Sequence, residues 1–384
     1  MNSTLMNFSA QAPRLVRARR LITMLPGQEV IEDGALLAAS GRIQAVGHWA
    51  RMKSHSSGSV EDLGEVTITP GLINAHVHLE LSHLGPPPFK GRGFSAWVAW
   101  LIAQPLEKLT PKDLDQAVGQ MTACGTAGLA DITSRNPAMV AKALDQAGLD
   151  YVLQHEVFGF APPAPLPDIP LERLALAGHA LYSTAPESLR RAKAWDAAHG
   201  RTFSLHLAEH QGEVELLATG QGEFADLLRH RVLPRDWRPP ELSPAAFADR
   251  LGLLDQRTLA VHAVHLSGQD MALLAQRRVT VCLCPRSNRL IGVGQAKAKA
   301  LAEAGVPLCL GTDSLASVQD LDLWAELRAL VNSSQAVPGL ATNLAMLTRT
   351  PAKALGFTNL GTLGPGAIAR LAVLPKDLEE ALDD

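Results

Sequence analysis

Short apolar or β-branched runs alternate with amphipathic stretches along most of this 384-residue chain, and no other feature restricts its fold so tightly. The spacing predicts strands near Ile68–Val77, Thr126–Ile132, Tyr151–Phe158, Ala180–Ser183, Thr202–Leu207, Leu259–Val264, Val279–Cys284 and Val306–Leu310. Helical patterns fall between most of them, at Lys112–Ala123, Ala138–Ala147, Glu187–Ala198, Gly212–Arg229, Gln269–Arg277, Ala296–Ala304 and Leu321–Val331. Strand followed by helix, eight times over, is the pattern of a parallel (β/α)8 TIM barrel.

The flanks lack that rhythm. Leu15 to Val66 reads as short strands broken at Pro26-Gly27, Asp33-Gly34 and Ser40-Gly41, and Leu360 to Leu374 has the same character. We expect both termini to build one small β-sandwich domain, residues 1–66 and 357–384, beside a barrel spanning residues 67–356. The stretch from Gly212 to Asp255, with Trp237, Pro239 and Pro240, is longer than an ordinary barrel connection and reads as a helix plus an insertion over the mouth. Pro86-Pro87-Pro88 and Gly91-Arg92-Gly93 mark another loop near that face.

Composition excludes several functions. A net charge of −3 with no basic stripe argues against nucleic acid. No apolar run approaches the roughly 20 residues of a membrane helix, and Met1 to Arg20 carries no apolar stretch of a secretory signal. Cys124, Cys282, Cys284 and Cys309 sit inside apolar segments, which suits a reduced, cytoplasmic protein. Cys282-x-Cys284 has no second cysteine pair, so a structural zinc site is not expected there.

Barrel enzymes carry their chemistry at the C-terminal ends of the strands. The first predicted strand ends in His76-Val77-His78, whose imidazoles share one face because side chains alternate. Alone, that pair is equally consistent with two histidines of a polar turn. The fifth strand leads through His206 into Ala208-Glu209-His210, the sixth ends in His262-Ala263-Val264-His265, and the eighth in Gly311-Thr312-Asp313-Ser314. Three histidines and a carboxylate on one rim would complete the shell of a single Zn²⁺ or similar divalent ion, with room for water.

The motifs PGLINAHVHLE, SLHLAEH, VHAVHL, CPRSN and LGTDS, in that order, resemble those of the amidohydrolase superfamily, and residues 348–356 look like its C-terminal signature. Within it the chain is similar to the mononuclear aminopurine and nucleoside deaminases, which carry HxxE after strand five. The resemblance implies metal ligands His76, His78, His206 and Asp313, Glu209 as proton shuttle, and His262 as the residue orienting the attacking hydroxide, with Asp313 also taking a proton from water. Spacing agrees on one point. His206 and Glu209 are three apart and cannot share a strand face, so Glu209 lies past the strand end, beside a metal and not on it. Its alternative role is to oppose the dipole of the following helix. Zn²⁺ suits the ligand set, and Fe²⁺ or Mn²⁺ can occupy similar sites.

Some relatives hold two metals bridged by a modified lysine after strand four. Here the expected strand end, Leu181 to Glu187, has no lysine, and Lys193 falls in a helix. Glu156 could bridge two metals or be a buried, hydrogen-bonded carboxylate. His210 and His265 are expected in supporting or surface roles. His206-x-x-Glu209-His210 also fits an inverted zinc-peptidase motif, but that needs a helix, and Phe203, Leu205 and Leu207 alternate like a strand. A barrel scaffold without catalysis would leave the ligand set unexplained.

For substrate, His78-Leu79-Glu80-Leu81-Ser82 followed by Gly93 to Trp100 is similar to the branch that deaminates 6-amino-6-deoxyfutalosine, an intermediate of menaquinone synthesis. S-adenosylhomocysteine, adenosine and guanine deamination are the alternatives. Phe94 and Trp97 offer flat apolar surfaces to a ligand, or simply pack a helix on the barrel. Arg92, Arg286 and Arg289 are the loop cations for a substrate carboxylate, Arg286 foremost. The expected partner is a small molecule, with a homo-oligomer left open.

Overall fold

The computed structural model describes residues 5–8, 12–55, 59–161, 165–229 and 231–383. Eight parallel strands form its centre: β1 (Leu72–Val77), β2 (Thr126–Thr133), β3 (Asp150–Val157), β4 (Leu174–Ala180), β5 (Phe203–Leu207), β6 (Thr258–His262), β7 (Thr280–Leu283) and β8 (Leu308–Leu310). Each pairs with its neighbour in sequence order. Nearly every strand residue is buried, because the barrel fills one face and helices cover the other. The (β/α)8 expectation is met.

The barrel closes at its first and last strands, and it does so through residues of the candidate site. Val77 and Asp313 form an isolated parallel bridge, and the Asp313 amide donates to the His76 carbonyl at 3.0 Å. Gly311 makes this approach possible. A Cβ there would lie 2.8 Å from the His76 carbonyl oxygen and 2.9 Å from Cys282 Sγ.

Three stretches depart from the sequence reading. The run Ile68–Val77 is not one strand. It breaks at Gly71, and Thr67–Pro70 belongs to a second sheet. The fourth strand lies at Leu174–Ala180, earlier than the expected Ala180–Ser183, and Leu181–Ser183 is a turn. Alanine and glycine are weak strand formers, which hid it. Gly178 is nevertheless required, since a Cβ there would sit 2.2 Å from Leu189 Cδ2 of the covering helix. The helix expected over Gly212–Arg229 is two, Gln211–Thr219 and Glu223–Arg229, broken where Gly220 and Gly222 adopt positive φ. A further helix, Pro244–Arg250, follows with Ser243 as its N-cap.

The second sheet joins both chain ends in seven strands, with Arg370–Val373 antiparallel to both Thr67–Pro70 and Met6–Asn7. Its core includes Val16, Leu21, Ile31, Leu36, Ile43 and Leu371. Arg370 reaches into the barrel, donating to Asp150 Oδ2 at 2.6 Å and to the Ala127 carbonyl at 2.9 Å. Among the described residues no helix is long and apolar enough to cross a membrane.

Candidate metal centre and catalytic rim

The strand ends bring His76, His78 and His206 together. His78 Nε2 lies 3.1 Å from His76 Nε2, and one ligand atom from each of the three rings falls within 4.8 Å of the others. The His76 and His206 rings stand 5.1 Å apart at 86°, so they converge edge to face. Asp313 completes the arc, with Oδ1 3.7 Å from His78 Nε2 and 3.9 Å from His76 Nε2. Its other oxygen accepts from Ser287 Oγ at 2.6 Å and Ser317 Oγ at 2.9 Å. Asp313, His262, Ala263 and Ala208 all have positive φ without being glycine, so backbone strain concentrates where the strands end.

These residues fit a divalent cation. Burial pushes the pKa of His76 and His206 well below the ordinary histidine value and that of His78 below it, so the imidazoles are neutral bases. His206 Nδ1 donates to the His179 carbonyl at 2.8 Å, which leaves Nε2 as a lone pair. His76 Nδ1 is buried without a hydrogen-bond partner. Several lone pairs and one carboxylate oxygen thus converge with too few protons between them, a deficit that a metal ion satisfies.

Glu209 and His262 border this cluster. His262 Nδ1 is 2.9 Å from Asn288 Oδ1, so it carries the proton and Nε2 is free. That Nε2 lies 3.8 Å from Glu209 Oε1. Glu209 is buried, and its backbone amide donates to Glu213 Oε2 at 3.0 Å. Burial first, then Asp313 and Glu213, holds the Glu209 carboxyl well above the usual range. His262 is held below the ordinary value, chiefly by burial.

Of the expected substrate contacts, Arg286, Phe94 and Trp97 make contacts within the protein. The Arg286 guanidinium donates to Asp320 Oδ1 at 2.6 Å and lies 3.7 Å from Glu326, so its charge is already met inside the protein. Arg92 is exposed, with its guanidinium 5.4 Å from the centre of the Phe89 ring. Phe94 is buried and stacks on His210 at 3.9 Å, while Trp97 Nε1 donates to the Ala316 carbonyl at 3.0 Å. His265 Nε2 pairs with the Val293 carbonyl at 2.7 Å.

Sequence reading missed His179, Ser287, Asn288 and Ser317. Ser287 and Asn288 stand in the CPRSN run, and each fixes one functional side chain, Asp313 and His262 respectively. His179 lies within the fourth strand, one residue before the start expected from the sequence. Its ring lies 5.2 Å from that of His206, and with Glu156 the two form a second group of potential ligands. Glu156 Oε1 is buried without a hydrogen-bond partner, 3.9 Å from His206 Nδ1, and burial pushes the carboxyl up to about 8. Lys193 stays far from any bridging role, bound to Asp255 at 2.6 Å and Thr258 at 2.8 Å.

Known proteins resemble this chain in sequence and fold. Residues 171–384 match the model of the amidohydrolase family. A 5-methylthioadenosine/S-adenosylhomocysteine deaminase of Nitratidesulfovibrio vulgaris is 31% identical, covering 94% of this chain and 83% of its own. An aminodeoxyfutalosine deaminase of Deinococcus radiodurans is 26% identical over 85% of this chain and 81% of its own. The crystal structure of an adenosine deaminase from Xanthomonas campestris, with bound zinc, superposes with a TM-score of 0.76 at 25% identity, covering 97% of this chain and 87% of that one.

Proposed function

This chain belongs to the amidohydrolase family, and from that premise we propose that it is a metal-dependent hydrolytic deaminase of an aminopurine nucleoside. One observation carries the reading. A buried Glu209, its carboxyl held well above the usual range by burial, stands beside His262, on a rim that also gathers three imidazoles and a carboxylate. Deamination needs both a proton donor for the ring and an activated water.

His76, His78, His206 and Asp313 would hold the ion, for which Zn²⁺ suits the donor set. When bound, it supplies a water acidified toward neutral pH. Asp313 Oδ1 faces the histidines, where it would accept a proton from a bound water, while Ser287 and Ser317 keep the carboxylate from turning away. His262, fixed by Asn288, presents its Nε2 lone pair to the water and orients it. Glu209 protonates the ring nitrogen next to the amine-bearing carbon as oxygen adds there. Left as a carboxylate, Glu209 would take the proton of the added hydroxyl and relay it to the amine, which leaves as ammonia as the ring carbonyl forms, and the proton held on Asp313 would return Glu209 to its acid form.

The substrate we favour is 6-amino-6-deoxyfutalosine, giving futalosine and ammonia in menaquinone synthesis, in a cytoplasmic enzyme. Support comes from the Glu80–Trp100 likeness and the Deinococcus relative. 5-Methylthioadenosine or S-adenosylhomocysteine is the second reading, supported by the more similar Nitratidesulfovibrio relative. The test is ammonia release from aminodeoxyfutalosine, 5-methylthioadenosine, S-adenosylhomocysteine, adenosine and guanine, with metal content measured on the same protein. Metal-loaded protein that releases ammonia from none of them would sink the deaminase reading.

A further inference from the structure

The short helix Pro285–Ile291 holds two side chains of the rim that come from different strands. β7 runs between β6 and β8, and this helix starts directly where β7 ends. Consecutive residues on a helix point about 100° apart. Ser287 therefore reaches Asp313 past the end of β8, donating to Oδ2 at 2.6 Å, while Asn288 reaches His262 at the end of β6, with Oδ1 2.9 Å from Nδ1. A small rotation of this one helix would release both side chains together.

The residue before Ser287 sets the helix in place. The Arg286 amide, one of the donors that a helix start leaves without an intrahelical partner, donates to Glu326 Oε2 at 3.0 Å. Its guanidinium donates to Asp320 Oδ1 at 2.6 Å, and lies 3.5 Å from the carbonyl oxygens of Asp320 and Asp322 and 3.7 Å from Glu326 Oε1. Glu326 is fully buried in the helix Leu323–Val331, and its Oε1 has no hydrogen-bond partner. Asp320 and Asp322 belong to the segment that joins Asp313 to that helix, and Asp322 is its N-cap, accepting from the Trp324 amide at 2.8 Å. One arginine thus ties the helix after β7 to the connection after β8.

Stability alone is a poor reason for such a cluster. Withdrawing a guanidinium and its carboxylates from water costs about as much as their attraction returns. What the cluster does supply is direction, because a planar guanidinium donates only along fixed lines.

We propose that Arg286, held by Glu326 and Asp320, is a positioning residue for both sides of the rim. It fixes the helix Pro285–Ile291 so that Ser287 aims Asp313 at the metal site and Asn288 keeps the His262 Nε2 facing Glu209. Arg286 then serves every substrate alike and touches none. Its kinetic consequence rests on the deaminase reading, its consequence for the metal on the ligand set alone.

The experiment compares Arg286→Met and Asp320→Ala with wild type. Zn²⁺ retention is measured by chelator competition. Ammonia release is measured from aminodeoxyfutalosine and S-adenosylhomocysteine, which carry a carboxylate, and from adenosine and 5-methylthioadenosine, which do not. Asp320 is 45% exposed, so its alanine variant removes the contact without a buried change. Loss of an outer partner of a metal ligand lowers affinity or turnover about 10–100-fold, and Arg286→Met should show the lower end of that range in both. On every substrate that wild type turns over, kcat should fall by the same factor with KM unchanged. Asp320→Ala should act in the same direction and by less. In a Ser287→Ala background Arg286→Met should weaken Zn²⁺ retention no further, and in an Asn288→Ala background it should lower kcat no further, because the contacts it acts through are already lost. Losses that multiply in the double variants would make Arg286 a general structural residue and overturn the role. So would wild-type Zn²⁺ retention and kcat in Arg286→Met. A rise in KM confined to the carboxylate-bearing substrates would overturn it too, returning Arg286 to substrate binding. Wild-type protein that releases ammonia from none of the four would remove the deaminase reading, and the Zn²⁺ measurements would still decide whether Arg286 positions Asp313.

Discussion

Glu209 illustrates how one residue acquires its chemistry from where the chain bends. It follows Ala208, whose positive φ turns the backbone out of β5 and into the helix Gln211–Thr219. The turn places the carboxyl in a buried position facing His262, where the protonated form is favoured. Glu209→Gln keeps the shape but cannot relay a proton. We expect kcat to fall about 10²–10⁴-fold, with metal content equal to wild type by elemental analysis. Full turnover in this variant would take Glu209 out of the mechanism. At this scale the sequence is informative where spacing alone decides geometry. His76-x-His78 converges because strand side chains alternate, and Glu209 cannot share a strand face with His206. It is silent where geometry depends on a distant partner. Nothing in CPRSN announces that Arg286 is neutralised by Asp320 and Glu326, or that Ser287 and Asn288 hold Asp313 and His262.

Elements impose their own requirements. Most of the eight strands are legible because parallel strands buried on both faces must be apolar and β-branched. β4 escapes that rule, since Leu174-Ala175-Leu176-Ala177-Gly178 trades β-branched bulk for close packing against the helix Pro186–His199, and reading it late concealed His179. The same helix anchors β4 through Asp196, whose Oδ1 accepts from the Leu176 amide at 2.9 Å. Burial pushes the Asp196 carboxyl from 3.8 up to about 8. A carboxyl with a raised folded pKa binds more protons folded than unfolded between those values, so stability falls as pH rises through that window. Asp196→Asn retains the acceptor and removes the titration. Its unfolding free energy should fall less steeply from pH 4 to pH 8 than that of wild type, by at most about 1.4 kcal/mol per pH unit. Parallel denaturant curves for the two proteins across that range would refute this account. β8 makes the complementary demand. Gly311→Ala drives a methyl into the His76 carbonyl and Cys282 Sγ. It should cost about 1–3 kcal/mol and weaken metal retention, measured by denaturant melts and by chelator competition. Wild-type retention would show that β1 and β8 tolerate separation.

Over the whole molecule, the candidate ligands join segments that the sheet itself connects weakly. His76 and His78 belong to the start of the barrel, Asp313 to its end, and His206 lies between. Neighbouring strands elsewhere share registers of three residues or more, whereas among the described residues the backbone pairing of the β1 and β8 ends is the isolated Val77–Asp313 bridge, beside which the Asn74 side chain holds Thr312 at 2.8 and 3.1 Å. The second sheet ties the other end of the barrel through Arg370, which donates to Asp150 of β3 and to the Ala127 carbonyl of β2. A metal bound by His76, His78, His206 and Asp313 would therefore act as a cross-link at the barrel's seam, and its binding energy would be folding energy. Free metal at a hundred times its dissociation constant should add about 2.7 kcal/mol to the unfolding free energy. Thermal melts of chelator-stripped protein should rise with added Zn²⁺ in a dose-dependent way, and Asp313→Ala should abolish most of that rise. Amide exchange should slow on metal binding at β1 and β8, and much less in the second sheet. A melting temperature indifferent to Zn²⁺ in stripped wild-type protein would mean that the seam holds without the metal, through the Ser287 and Ser317 hydroxyls, the Asn74 side chain and the Asp313–His76 backbone bond.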